Sequence, residues 1–214
     1  MSVKPLKTPE TKGGDFEQVP AGVYLARCYQ MVDLGTQTIT SKQFGTSQKR
    51  QIMLFFELLQ DEDGKKVTME DGRPFGISQI YTWSMHKKAK LRADLNAWRG
   101  KPFTDKEANG FEITKLLDKF VKLQVVHNES GDKTYANIGA LMATKKTDKG
   151  VNDLLAFSID DPDMEAYEGL SKWLQDKIAS AEEWDEDPSN IAEEDKEVEI
   201  EDTDNTIDTS DVPF

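Results

Sequence analysis

The 214-residue sequence is poor in the residues that build cross-links and reactive centres: it has one cysteine, Cys28, and two histidines, His86 and His127. A lone cysteine excludes an internal disulfide framework and any cysteine-rich zinc site. Its apolar neighbours make Cys28 a buried small hydrophobe. The histidines stand apart, each beside an expected element boundary, and read as surface residues. No run approaches the ~18 consecutive apolar residues of a membrane-spanning helix. Met1-Ser-Val-Lys4 leads into polar sequence without the apolar stretch of a secretory signal, so a cytosolic location is expected. A Gly-Lys-Ser/Thr phosphate loop and a Gly-x-Ser-x-Gly elbow are both missing. Asp61, Glu62 and Asp63 cluster in a turn with Gly64 and lack the longer spacing of a calcium loop. The reading is a non-enzyme with no metal and no cofactor.

What is abundant is charge, unevenly placed. Residues 1–150 carry 24 Lys and Arg against 18 Asp and Glu, a net of +6; residues 151–214 carry 3 against 22, a net of −19. A mildly basic body tied to a strongly acidic end is a charge asymmetry that points to polyanionic ligands such as nucleic acid. From residue 183 onward acids dominate and apolar residues are sparse, a composition that cannot bury enough surface to offset chain entropy, so 183–214 is expected to be a disordered tail.

Four segments follow: a polar, flexible arm over 1–19, a body over 20–150, a linker and amphipathic helix over 151–182, and the tail. In the body, 21–34 is rich in β-formers and reads as a first strand, 35–48 as a polar connector, 50–59 as a nearly all-apolar second strand ending in the turn at Asp61–Gly64, and 77–85 as a third. Leu91, Leu95 and Trp98 then recur at helical spacing, with Lys87, Lys88, Lys90, Arg92 and Asp94 on the other positions, and Gly100 ends the helix. Thr104-x-x-Glu107 matches a capping box that opens a short second helix. Strands four and five are expected at 121–127 and 135–143, and Met164, Tyr167, Leu170, Leu174 and Ile178 mark a further helix. Three strands, a helix and two strands is the element order of the five-stranded OB-fold barrel, which binds oligonucleotides across one face and through two loops; a generic α+β sheet domain shares that order. The expected class is mainly β with helices, an OB-fold-like barrel (β-β-β-α-β-β) plus a C-terminal helix and the acidic tail.

The tail closes on Asp208-Thr-Ser-Asp211-Val212-Pro213-Phe214, an aromatic ring beside a terminal carboxylate, preceded by acids and stiffened by proline. Such a tip suits a basic-rimmed apolar pocket. It resembles the acidic C-terminal tip of bacterial and phage single-stranded DNA-binding proteins (SSBs), where Asp-(Ile/Val)-Pro-Phe recruits replication, recombination and repair enzymes. Two internal stretches, Asp33-Leu-Gly-Thr-Gln37 and Tyr81 to Phe103, resemble a family of small tailed-phage and prophage proteins from replication regions. The resemblance implies a phage or prophage protein in a bacterial host cytoplasm, with ssDNA and replication, recombination or repair proteins as partners and Asp208, Asp211, Val212, Pro213 and Phe214 as the docking residues. The helical segment between strands three and four and the helix over 163–182 depart from a typical bacterial SSB.

Binding single strands needs cations for phosphates and flat rings for unstacked bases. The first connector offers Lys42, Phe44, Lys49 and Arg50. On strand two the odd positions Lys49, Gln51, Met53, Phe55 and Glu57 are more polar than Ile52, Leu54, Phe56 and Leu58, so the odd set is expected on the open face with Phe55 as its ring. Tyr81 and Trp83 share a face of strand three and are candidate stacking rings, with a core role the alternative. Lys133 and Tyr135 follow the strand four–five turn, and Lys145 and Lys146 follow strand five. Two further functions remain open: a replisome or recombination adaptor without ssDNA binding of its own, and a DNA mimic acting through its acids.

Overall fold

A computed structural model describes residues 17–41, 45–131 and 133–184. Residues 1–16 of the arm expected over 1–19, Lys42, Phe44, residues 185–214 of the tail expected over 183–214, and the docking tip lie outside the described residues, whereas Val19 of that arm is buried in the core and Glu183 and Trp184 of that tail form part of a 3₁₀ turn. The protein is mainly β. β1 (Gly22–Ser41), β2 (Gly45–Gln60) and β3 (Phe75–Thr82) precede α1 (Lys90–Arg99), α2 (Asp105–Ala108) and a 3₁₀ turn at Ile113–Leu116; β4 (Phe120–Ser130) and β5 (Lys133–Met142) follow. The chain ends its described part with β6 (Leu155–Phe157), α3 (Met164–Glu168), α4 (Lys172–Ala179) and a 3₁₀ turn at Glu182–Trp184.

The sheet is antiparallel and open, in the order β3-β2-β1-β4-β5, with β6 added in parallel to β1 at Gln30–Val32. Tyr29 and Leu34 are extra residues in bulges of β1, and Leu59 in a bulge of β2. Bulges bend a strand and raise its twist, and the sheet curls until its two end strands, β3 and β5, come into contact. Inside the curl lies the main core, with Tyr24, Ala26, Cys28 and Met31 of β1, the even residues Ile52, Leu54, Phe56 and Leu58 of β2, and Val121, Leu123 and Val125 of β4. α1 closes it with Leu91, Leu95 and Trp98. Burial pushes the Cys28 thiol up to about 12.

Several local expectations hold. The capping box forms, with Glu107 N–H donating to Thr104 Oγ1 (3.2 Å) and Thr104 N–H to Glu107 Oε2 (2.9 Å). Gly100 ends α1 in the left-handed region at φ 73°. Others need correction. The connector expected over 35–48 is a hairpin arm, since β1 runs on to Ser41 and β2 begins at Gly45. Its threonines and serines satisfy a ladder as readily as a loop. The single C-terminal helix is two, broken at Gly169 because Ser171 caps a new start and accepts from Leu174 N–H. Arg92, expected on the solvated helix face, is buried and donates to the carbonyls of Met85 (3.1 Å) and Phe103 (2.7 Å).

A second core lies on the outer face. Val32 and Leu34 of β1 are covered by Phe157, Ile159, Leu170, Leu174, Ile178 and Ala181. The stretch Asp33–Gln37 is the seat for this covering. Gly35 takes φ +64°, and a Cβ there would stand 2.6 Å from that of Ala181. Glu183 accepts from Thr36 N–H and Oγ1 (both 2.6 Å), and Gln37 Nε2 donates to the Lys177 carbonyl (2.9 Å). Burial opposes ionisation of Glu183, but the Thr36 hydrogen bonds outweigh it and lower its pKa.

Candidate nucleic-acid interface

The strand alternation of β2 divides its residues as the sequence suggests, with the even set inside and Lys49, Gln51, Met53, Phe55 and Glu57 outward. The outward set is not uniformly open. Glu57, the most polar of them, is fully buried. Arg27 Nε donates to it (2.5 Å), as do the backbone N–H groups of Val151 and Asn152 (3.1 and 2.9 Å) and Asn152 Nδ2 (2.7 Å). Arg27 continues to Asp118 (2.9 Å) and the Asn152 carbonyl (2.5 Å). The expectation of an open face at this end is therefore wrong. A buried carboxylate must be paired, and its partners come from β1 and from the segment crossing the sheet at 150–152, which strand patterning does not reveal. Gly150 permits that crossing, because a Cβ there would meet the Arg27 guanidinium at 1.8 Å.

Phe55 occupies the middle of the same face and is half-buried. Its ring meets that of Tyr29 edge-on at 6.4 Å between centroids, and with Met53 and Ile80 it packs against the second core. Its neighbour across β3 is Ser78, with Gly76 next along, so small residues leave room on that side. Tyr29 is a ring that sequence reasoning missed. As the extra residue of a bulge it breaks the alternation that would have flagged it.

Tyr81 is a correction. It is 2% exposed, packs in the main core, and donates its hydroxyl to Asp94 (2.9 Å). Burial first, and the Asp94 charge second, push its pKa up. A ring with no exposed face cannot stack on a base. Trp83 differs. It lies past the end of β3, is half-buried, and holds the Arg50 guanidinium over its ring at 5.1 Å. Arg50 itself is clamped between the buried Asp33 and Asp160 (2.6 Å), and hydrogen bonding to Asp33 raises its pKa. It is a cation already matched by two carboxylates, so its part at this site is to fix Trp83.

The remaining cations are freer. Lys49 is exposed on the arm, and Lys133, Lys145 and Lys146 are exposed on and after β5, none in an ion pair among the described residues. Tyr135 is 49% exposed beside Lys133. The arm has a further property: no acidic residue occurs between Asp33 and Glu57, in a chain with 40 of them. Its described wall is threonine, glutamine and serine with Lys49 and Arg50, which offers hydrogen-bond donors and positive charge without repelling a polyanion. The structure thus brings Lys49, Phe55 and Tyr29 onto one face, packs Trp83 against the main core, and leaves Lys145 and Lys146 apart on the loop that follows β5.

Among the described residues no group of three or more His, Cys, Asp or Glu is placed to hold a metal ion, and no helix is long and apolar enough to cross a membrane. No protein-family model matches this sequence, and no curated protein matches it.

Proposed function

We propose that this chain is a sequence-nonspecific ssDNA-binding protein of a phage or prophage. Its body is an OB-type barrel that holds the strand, and its C-terminal tip docks replication, recombination or repair enzymes. In the OB-fold, oligonucleotides lie across strands two and three and are gripped by the loops joining strands one–two and four–five. The observation that carries the reading is that the acid-free β1–β2 arm and the half-buried rings Phe55 and Tyr29 occupy that face. The strand order, with β1 paired to both β2 and β4 and a helix between β3 and β4, supports the same assignment. Lys133 and Tyr135 stand at the turn that would form the second grip.

A fluorescence titration with oligo(dT) at two salt concentrations tests it. If about five phosphates are neutralised, log K falls with log salt at a slope near −3.5, from ~0.7 per phosphate on single strands. Salt-independent affinity, or a preference for duplex, rejects the reading. One observation favours the adaptor instead: Arg27 and Arg50 are both neutralised internally. An adaptor gives no oligo(dT) signal at either salt concentration yet captures partners through Phe214.

A further inference from the structure

The helical segment between β3 and β4 builds a second place where rings and cations meet. α1, α2, the 3₁₀ turn at Ile113–Leu116 and the start of β4 line a pocket of about 690 Å³, and none of its lining residues belongs to the face around Phe55. That volume falls within the roughly 300–1,000 Å³ of ligand-binding clefts. Four rings line it. Trp98 comes from α1, Phe103 and Phe111 from the turns on either side of α2, and Phe120 from the first residue of β4. Trp98 and Phe103 are buried and serve as walls. The Trp98 indole N–H donates to the Phe120 carbonyl (2.7 Å), and Phe103 lies under the Arg99 guanidinium at 4.5 Å and meets Phe111 edge-on at 4.9 Å. Phe111 and Phe120 are only half-buried. The walls are held by their own contacts, so a flat guest finds them already ordered.

The rim fixes a cation beside those rings. Asp118 takes φ 60°, a left-handed conformation that aspartate adopts more readily than most residues. Its N–H donates to the Cys28 carbonyl (2.9 Å) and Cys28 N–H donates to the Lys119 carbonyl (3.0 Å), which pins 118–119 to β1. The carboxylates of the lining are each engaged: Glu107 by Arg99, Glu112 by Lys115 (2.9 Å) and Asp118 by Arg27 (2.9 Å). Lys119 is also in the lining, and Lys145 and Lys146 stand between the lining residues Thr144 and Thr147. All three lysines are exposed, and none is in an ion pair among the described residues. The charge left over around this aromatic cleft is positive.

We infer that this pocket takes a nucleobase from a single strand, with the base against Phe111 and Phe120 and the flanking phosphates on Lys119, Lys145 and Lys146. A ring for the base and cations for the backbone is the pairing that sequence-tolerant binding of single strands uses. An unpaired strand gives up a base to a pocket at less cost than a duplex does. The lining carboxylates do not turn the strand away, because each is already engaged by a cation. The site is separate from the face around Phe55 and does not rest on that face binding DNA. It gives a role to Lys145 and Lys146, which that face leaves aside.

Amide resonances of the isotope-labelled full chain, followed as a four-nucleotide oligo(dT) is added, test the site. Shifts at Phe111, Leu116, Lys119 and Thr144 are the expected result. An abasic sugar–phosphate chain of the same length should move them far less. If the abasic chain or poly-glutamate moves the pocket amides as far as oligo(dT) does, the contact is charge attraction alone, open equally to an acidic protein, and the proposal falls. Lys145→Ala with Lys146→Ala changes two exposed side chains and leaves the core intact. It should make the salt slope of the pocket shifts shallower by about 1.4, from ~0.7 per phosphate; an unchanged slope overturns the assignment. Phe120→Ala should weaken the pocket's binding roughly 5- to 150-fold, the range for one base stacked on a ring, and the lysine pair carries the test if that variant does not fold. The two sites report separately. Pocket shifts with none at Tyr29, Lys49 and Phe55 keep this site and reject the reading of that face. Shifts at that face with none in the pocket overturn this site alone, and silence at both removes both.

Discussion

The two faces of β2 are built from alternate residues of one strand, yet they are closed in different ways. Inward, Ile52, Leu54, Phe56 and Leu58 are at most 2% exposed, sealed by the curl of the sheet and by α1. Outward, Gln51, Met53 and Phe55 remain half-buried, while Glu57 is sealed completely by a segment from about a hundred residues further along the chain. The inner face is apolar and closed by neighbours in the sheet. The outer face is closed unevenly, by the ion pair at one end and by Ile178 and its neighbours over Val32 and Leu34, with the half-buried rings of Phe55 and Tyr29 between. A face that holds the fold throughout is sealed throughout, and only around Phe55 and Tyr29 is this outer face partly exposed.

Glu57→Ala probes whether the sealed end of the outer face is as structural as the inner one. It strips Arg27 of its buried partner, and removing one member of such a pair costs about 3–5 kcal/mol; a denaturant titration should show that loss, and a loss below about 1 kcal/mol would mean the end opens without penalty. Phe56→Ala and Phe55→Ala sharpen the comparison across adjacent positions. The first empties core volume and should cost about 3–5 kcal/mol of stability. The second should cost less stability but weaken oligo(dT) binding by about 1–3 kcal/mol, the value of one base stacked on a ring. Equal stability losses with unchanged affinity would erase the distinction between the faces.

The smallest effect is expected from acid. Glu183 has a folded pKa lowered by its hydrogen bonds to Thr36. A group with a depressed folded pKa contributes stability that is fully present above the unfolded value, about 4.3 for glutamate, and lost as pH falls through the folded pKa. The protection of the Thr36 amide against exchange, relative to its intrinsic rate, should therefore fall below pH about 4, and Glu183→Gln should flatten that dependence. A pH profile identical in both proteins would detach Glu183 from the covering of Gly35.

Much of the frame was legible because it rests on short-range physics. The alternation along 50–58, the i, i+4, i+7 spacing of Leu91, Leu95 and Trp98, the capping box at Thr104 and the turn at Gly64 each involve residues within a few positions of one another. Their outcomes in the structure follow the pattern closely. The candidate site was legible in part. Phe55 and Lys49 stand on the face assigned to them, whereas Tyr81 turned inward and Arg50 proved already matched.

What the sequence alone determined is therefore the set of local elements, the charge asymmetry of body and tail, and the identity of the faces of β2. Only the tertiary structure decided which polar residues are consumed and which are available. Arg50 meets Asp160 across 110 residues and Glu57 meets Asn152 across 95. Contacts of that span carry no periodic signal, because the two partners are brought together by the bulged curl of the sheet and the return of the chain across it, and not by any spacing within either segment.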